Sequence, residues 1–522
     1  MASRPRRWIS TLGAFGAALA LVLTGCSNTA APKPTASNST APELKIGLSA
    51  DVPDLKPSRD QGAAAMMLDT MIHRGLLGYD AKGQVVPALA ESFKASADNK
   101  SFTFKLRKDL KFSDGSALTS ANVKKTLEFL ATSSSGAKIG ATMSQLASVD
   151  TPDEQTAVVN LKNANVAFPS YLADTTAAIL PDKAFGAQGT SWEGAGPFKL
   201  DQTQKGVSFT FTKNPNFYDA SNVNFDKATV TVYADGQARL NALLAGDVHL
   251  IDFVPWESFD RVKQDANLSL DPQSGPWMYL HFNVAKGGPL ANEKVRQAIA
   301  LAVNRENVAK AAFSGQASVV AGAPISESSP FYNAQLAQGW KQDVAKAKQL
   351  MAEAGYANGF DAVLLTSSQY AFHQDTALSV QPDLAAIGIR TTLDSGDWAT
   401  RQQKAAEGRY DIAVAGSAGV VNDPSFLVNF VTGPAANNRS YGFDDPKLDD
   451  LLNKGLQSAT DADRKAVYDQ VQERIIQTVP FASLVGRSQA FAYSKKLSGF
   501  ANIPGFLTFE SGYTLVGARL QA

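Results

Sequence analysis

Alternating apolar and polar residues mark three strands: Leu44-Lys45-Ile46-Gly47-Leu48, Phe102-Thr103-Phe104-Lys105-Leu106 and Val207-Ser208-Phe209-Thr210-Phe211-Thr212. A period of two puts one set of side chains on a buried face and the other toward water, so each reads as a half-buried strand. Helical spacing is equally plain at Val295, Ala298, Ile299, Ala302 and Val303. It recurs at Ala347, Leu350, Met351 and Ala354, ahead of Gly355, a residue suited to a helix C-terminus. Thr460 with Asp463 forms a capping pattern that predicts a helix ending before Pro480. Strands and helices mix along the whole length without a fixed repeat, which predicts an α/β protein and excludes a solenoid or propeller.

The N-terminus departs from this pattern. Arg4, Arg6 and Arg7 precede a mostly apolar run from Trp8 to Leu23, interrupted by Ser10, Thr11 and Gly13. A basic stretch followed by a short apolar one is a secretory signal, and the run falls short of the roughly 20 apolar residues of a retained span. Leu23-Thr24-Gly25-Cys26 resembles the bacterial lipoprotein box, which implies cleavage of residues 1–25 and a diacylglyceryl thioether on Cys26, the one cysteine of the chain. Arg6-Arg7 is followed by residues that fit twin-arginine export poorly, so Sec export is expected. The rest of 26–42 is Ser, Thr, Ala, Pro, Asn and Lys with no large apolar residue, so it cannot pack and reads as a tether at the outer face of a membrane.

With 49 Lys+Arg against 49 Asp+Glu, the chain has no net field to hold nucleic acid. A single cysteine rules out an intrachain disulfide and any Cys-cluster metal site. The histidines, His73, His249, His281 and His373, stand apart from one another, so no metal or other cofactor is expected. No phosphate-binding loop, nucleophile elbow or zinc-protease motif occurs, and Gly194-Ala195-Gly196 is followed by Pro197-Phe198-Lys199 where a dinucleotide loop would continue. Ser135-Gly136-Ala137-Lys138 matches the Ser-x-x-Lys of penicillin-recognising enzymes but lies in a Ser/Gly-rich stretch without their companion motifs, and reads as a loop.

Several phrases, in order, resemble the family 5 extracellular solute-binding proteins, the peptide/nickel-type receptors of ABC importers. They begin with Arg74-Gly75-Leu76-Leu77 and Leu89-Ala90-Glu91-Ser92-Phe93. Phe104-Lys105-Leu106-Arg107 with Phe112-Ser113-Asp114-Gly115 follows, then Gly194-Ala195-Gly196-Pro197-Phe198 and Asn214-Pro215-Asn216-Phe217-Tyr218. Val295-Arg296-Gln297-Ala298 and Glu353-Ala354-Gly355-Tyr356 continue the match in the C-terminal half. Most of these read as fold markers: Phe112 to Gly115 as a turn before a helix, and Gly194 to Phe198 as a reversal into a strand ending at Leu200.

The resemblance implies a non-enzymatic, two-lobed clamshell of periplasmic-binding-protein type with an accessory domain. It would be a monomer that closes on a peptide or similar small solute and docks on an ABC permease and ATPase. By analogy lobe I combines 43–72, 188–277 and 488–522, the accessory domain spans 73–187, and lobe II spans 278–487. Trp398, Tyr410-Asp411 and Asp423-Pro424 fill the places of the peptide receptors' cleft motif. Those receptors hold the ligand's ammonium with an aspartate four residues before that proline, where this chain has Val420; Val414 and Ser417 replace an Arg and a Trp. Losing one member of a buried charge pair costs roughly 2–5 kcal/mol, so a blocked or neutral solute is the expectation, with Asp423 a substitute anchor. The expected ligand contacts are Trp398, Ser417, Val420, Asn422 and Asp423 on one lobe and Gln61 and Gly62 on the other. The competing readings are a non-peptide receptor of the same fold, a secreted serine hydrolase or transpeptidase, and a signalling receptor or adhesin.

Overall fold

Two long antiparallel strands, Leu268–Phe282 and Phe481–Ser494, run through the centre of an 11-stranded sheet. The computed structural model describes residues 42–521 except 60, 186–191, 328, 418–419, 433–436 and 459. Cys26, the signal segment, almost all of the tether and the expected boundary at 187/188 therefore lie outside the described residues. No described helix is long and apolar enough to cross a membrane.

Beside one end of the long pair, Leu250–Ile251 pairs with Ala492 and Tyr493, and Leu44–Leu48, Lys227–Val232, Ser208–Lys213 and Phe198–Gln204 follow in order. Beside the other end, Ile412–Ser417 lies on Trp277–Phe282, followed by Phe360–Ser367 and Ile389–Gly396 in parallel. The register of the long pair slips midway: Ser274 faces Ser488 and Trp277 faces Gly486, so Gly275 and Pro276 stand against Arg487. Pro276 has no N–H to give the ladder, and such an extra residue bends a strand. Gly275 is needed there, because a Cβ would fall 2.0 Å from the Gly505 carbonyl oxygen.

A separate antiparallel sheet of Ala90–Ala95, Ser101–Leu106, Thr156–Leu161 and Leu146–Asp153 packs under the helix Ser120–Leu130 around Phe102, Phe104, Val123, Leu127 and Val159. The helix follows the Phe112–Gly115 turn, where Gly115 N–H closes on the Phe112 carbonyl at 2.9 Å with Gly115 at φ 89°.

The helical periodicities correspond to Glu293–Ala302, Val344–Glu353 with Gly355 at φ 85°, and Asp461–Thr478, whose Asp463 N–H donates to the Thr460 hydroxyl. Two strand readings need correction. Leu44–Leu48 is buried at four of its five positions, not half-buried, because parallel neighbours flank it on both sides and Gly47 packs against Ile251 and Arg239. The strand after Gly196 does not end at Leu200; it begins at Phe198 and continues to Gln204 through a bulge after Leu200. The two glycines before it serve close approach: a Cβ on either would lie 2.4 Å from Ile72 backbone atoms.

Candidate functional site

Four aromatic groups converge at the start of two helices on the side of Phe360–Ser367. Tyr370, Phe372 and His373 open the helix Ala371–Ala386, and Trp398 opens Trp398–Ala406. Asp397 caps the second helix by accepting from Thr400 N–H at 2.7 Å, and the Gln369 carboxamide oxygen takes the Trp398 N–H at 3.0 Å, tying the two starts together. Half-buried Trp398 lies edge-on to Tyr370 at 5.7 Å and 5.2 Å from His373. Arg401, one turn on, donates to the Asn437 and Val414 carbonyls and meets His281 Nε2 at 3.0 Å. Burial, with the Arg401 charge second, holds His281 and His373 well below the usual imidazole value, so both are neutral at pH 7.

Across the long strand pair lies Gly62, at φ 90° ahead of the helix Ala63–Ile72. A Cβ there would sit 4.0 Å from the Tyr370 hydroxyl, so this glycine reaches the aromatic group from the other half of the sheet. Gln61 instead holds its own loop, accepting from Lys56 N–H at 2.6 Å and donating to the Asp54 carbonyl at 2.7 Å.

Ser417 and residues 420–423 are committed to structure. Ser417 is in register with Trp277. Val420 and Val421 are buried in the same apolar cluster as Phe426, Leu427 and Phe430. Asn422 bridges to the C-terminal strip, with Nδ2 donating to the Pro504 carbonyl at 3.2 Å and Oδ1 accepting from Phe506 N–H at 2.8 Å. Both Asp423 oxygens bind Arg464 Nη2, at 2.7 and 2.9 Å, and Oδ1 caps Ser425 N–H. Tyr410 is likewise internal, with its hydroxyl 3.0 Å from His281 Nδ1 and accepting from Tyr441 N–H. Ser135, in the short helix Ser133–Ser135, donates to the Thr132 carbonyl at 2.7 Å, while Lys138 binds Asp174 at 2.9 Å.

The structure adds residues that the sequence reading did not select. Where the strands slip, the Arg487 guanidinium lies 4.7 Å from the centre of the Phe372 ring, 5.5 Å from Phe253 and 5.8 Å from Phe509. Trp256 stands edge-on to Phe372 and donates its indole N–H to the Ser488 carbonyl at 2.6 Å. A crevice too tight for a water molecule lies beside them, lined by Ala63, Met67, Asp252, Phe253, Gln489, Phe491 and Phe509. Phe253 holds φ at 43°, a left-handed conformation uncommon for a bulky residue. The signal for Arg487 was present: it is the one charged residue in Phe481–Ser494. A lone arginine in a buried strand is unusual enough to mark a site.

Among the described residues no group of three or more His, Cys, Asp or Glu side chains is placed to hold a metal ion. The arrangement can clasp an organic solute between aromatic faces and a buried cation. A family model for the bacterial extracellular solute-binding proteins, family 5 Middle, matches residues 84–439. The glutathione-binding protein GsiB of Escherichia coli is 27% identical over 497 residues, covering 92% of this chain and 95% of GsiB. The periplasmic binding protein AgaA of A. tumefaciens, solved with agropinic acid, is 37% identical and superposes with a TM-score of 0.88, covering 92% of this chain and 99% of AgaA. DppA of Helicobacter pylori, solved with the peptide STSA, shares the fold at a TM-score of 0.82 and 22% identity, over 92% of this chain and 98% of DppA.

Proposed function

The chain belongs to the family 5 bacterial extracellular solute-binding proteins, and from that premise we propose a receptor that captures a small solute without a free α-ammonium. The receptor is exported, lipidated on Cys26, tethered outside the membrane as a monomer, and delivers its solute to an ABC permease and ATPase. Capture takes place in the seam where Gly62 meets Tyr370, beside Trp398, and the two long strands act as the hinge at 277–278 and 487–488. The register slip opposite Arg487 supports that placement, since a bulge concentrates bending.

One observation carries the choice of solute: the 420–423 segment offers no uncommitted carboxylate. Val420 is packed in the core, and Asp423 is bound by Arg464 and caps the turn after it. An ammonium brought there would be desolvated without a counter-charge. Likeness to a protein solved with agropinic acid, at 37% identity, favours a non-peptide acid over a zwitterionic peptide. Calorimetry with one short peptide in free and N-acetylated forms tests the reading. The acetylated form is expected to bind at least as tightly, and a clear preference for the free amine contradicts it.

A further inference from the structure

Most buried guanidinium groups in this protein have their N–H groups taken by oxygen. Arg305 donates to five carbonyls, of Ala300, Val303, Val320, Trp340 and Ser483. Arg296 donates to those of Leu290, Ala291, Thr478 and Val479. Arg464 has Asp423, and Arg239 has Asp252. Arg487 differs from all four, and among the described residues it shares a buried Nε–H without an acceptor with Arg401 and Arg439. It is 4% exposed and, among the described residues, forms no ion pair; Nη1 donates to Gln489 Oε1 at 3.1 Å, while the buried Nε–H has no acceptor.

Its surroundings explain the isolation. Phe253, Phe372 and Phe509 come from three separate segments and turn their rings to the cation. Ring faces attract a guanidinium but do not accept the in-plane N–H pairs that meet a carboxylate side-on. Neutral His373 brings no negative charge, and the Asp252 carboxylate on the crevice wall is held by the Ser49 hydroxyl at 2.6 Å and by Arg239. Arg401, 5.4 Å from the centre of the Trp398 ring, donates to the Asn437 and Val414 carbonyls and leaves only its Nε–H without an acceptor.

Resting on the receptor reading above, we infer that Arg487 is the anchor for a carboxylate on the captured solute. A planar, singly charged carboxylate matches one free guanidinium edge, whereas a dianionic phosphate would want a second cation. Its place at the slip in the long strands gives the anchor a second consequence. A solute bound there touches the strand that joins both halves of the sheet and rings from both sides, so binding favours the closed arrangement.

The test uses the mature protein without residues 1–26, incubated in growth-medium extract and purified under native conditions. The probes are the solute it retains and the methyl ester of that solute. Wild type is expected to bind the acid roughly 30-fold or more tighter than the ester. Arg487→Met is expected to bind both alike and, empty, to melt no lower than empty wild type, whereas the control Arg305→Met melts well below it. Should Arg487→Met fail to fold, Arg487→Lys keeps the charge without the fork, and is expected to fold and lose about tenfold in affinity for the acid alone. A retained solute with no carboxylate, an ester that binds as well as the acid, acid preference surviving in Arg487→Met or undiminished in Arg487→Lys, or a melt as low as that of Arg305→Met overturns the anchor and leaves the receptor reading intact. A protein that retains no solute overturns the receptor reading, and the anchor with it.

Discussion

Glu510 shows how much a single buried group can contribute away from the site. It is 1% exposed, accepts the Thr175 N–H, and lies near Asp174 and Asp69, with Lys138 the nearby positive charge. Burial first, and the Asp174 charge second, push its carboxyl well above the usual 4.5. The unfolded chain releases that proton near pH 4.5 while the folded protein holds it to higher pH, so stability is lost as pH rises from 4.5 through the folded value. Glu510→Gln mimics the protonated form. Its melting temperature relative to wild type is expected to be near zero difference at pH 4.5 and to rise steadily toward pH 8; a pH-independent difference contradicts this. At the same scale, residues chosen by motif divide. Gly62 and Trp398 reach the aromatic seam, while the Gln61 and Asp423 side chains are spent on a loop and on Arg464. Sequence position places a residue near a cleft, but what its polar atoms bind depends on how the chain folds around it, on Lys56 and Asp54 for Gln61 and on Arg464 for Asp423.

Among the elements, those defined by local periodicity were legible, because an amphipathic repeat and a cap are properties of adjacent residues. Asp461–Thr478, with its Thr460 cap, is the clearest example. Burial in the sheet was less legible: alternation in Leu44–Leu48 suggests one wet face, and only the parallel neighbours on both sides reveal otherwise. The Gly194–Phe198 phrase was recognisable as a marker, and the chain does bend at 195–197, but the close contact of its glycines with Ile72 was not legible. Gly196→Ala would place a Cβ against the Ile72 carbonyl group, with backbone on both sides and no flexible side chain to yield. Overpacking of this kind costs about 1–3 kcal/mol or more. The variant is expected to have a urea midpoint clearly below wild type, and an unchanged midpoint contradicts the close-approach account. Exposed Gly288, with open space around its Cβ position and φ at −81°, serves as the comparison site.

For the whole molecule, the α/β clamshell class followed from mixed periodicities and ordered phrases, whereas the chemistry of the seam did not. Arg487, Phe372 and Phe509 lie in different elements and Phe253 in a bend over 200 positions before Arg487, so no window of the chain contains their juxtaposition. The strands that bring them together are the same two that join the halves of the sheet. On the reading proposed above, closure and recognition share these two strands, and the identity of the solute tests the recognition. Mass spectrometry of the small molecule released by acid from the natively purified mature protein tests the central claim most directly. The account predicts one dominant carboxylic acid lacking a free α-amine; a mixed set of short peptides with free amino termini would contradict it.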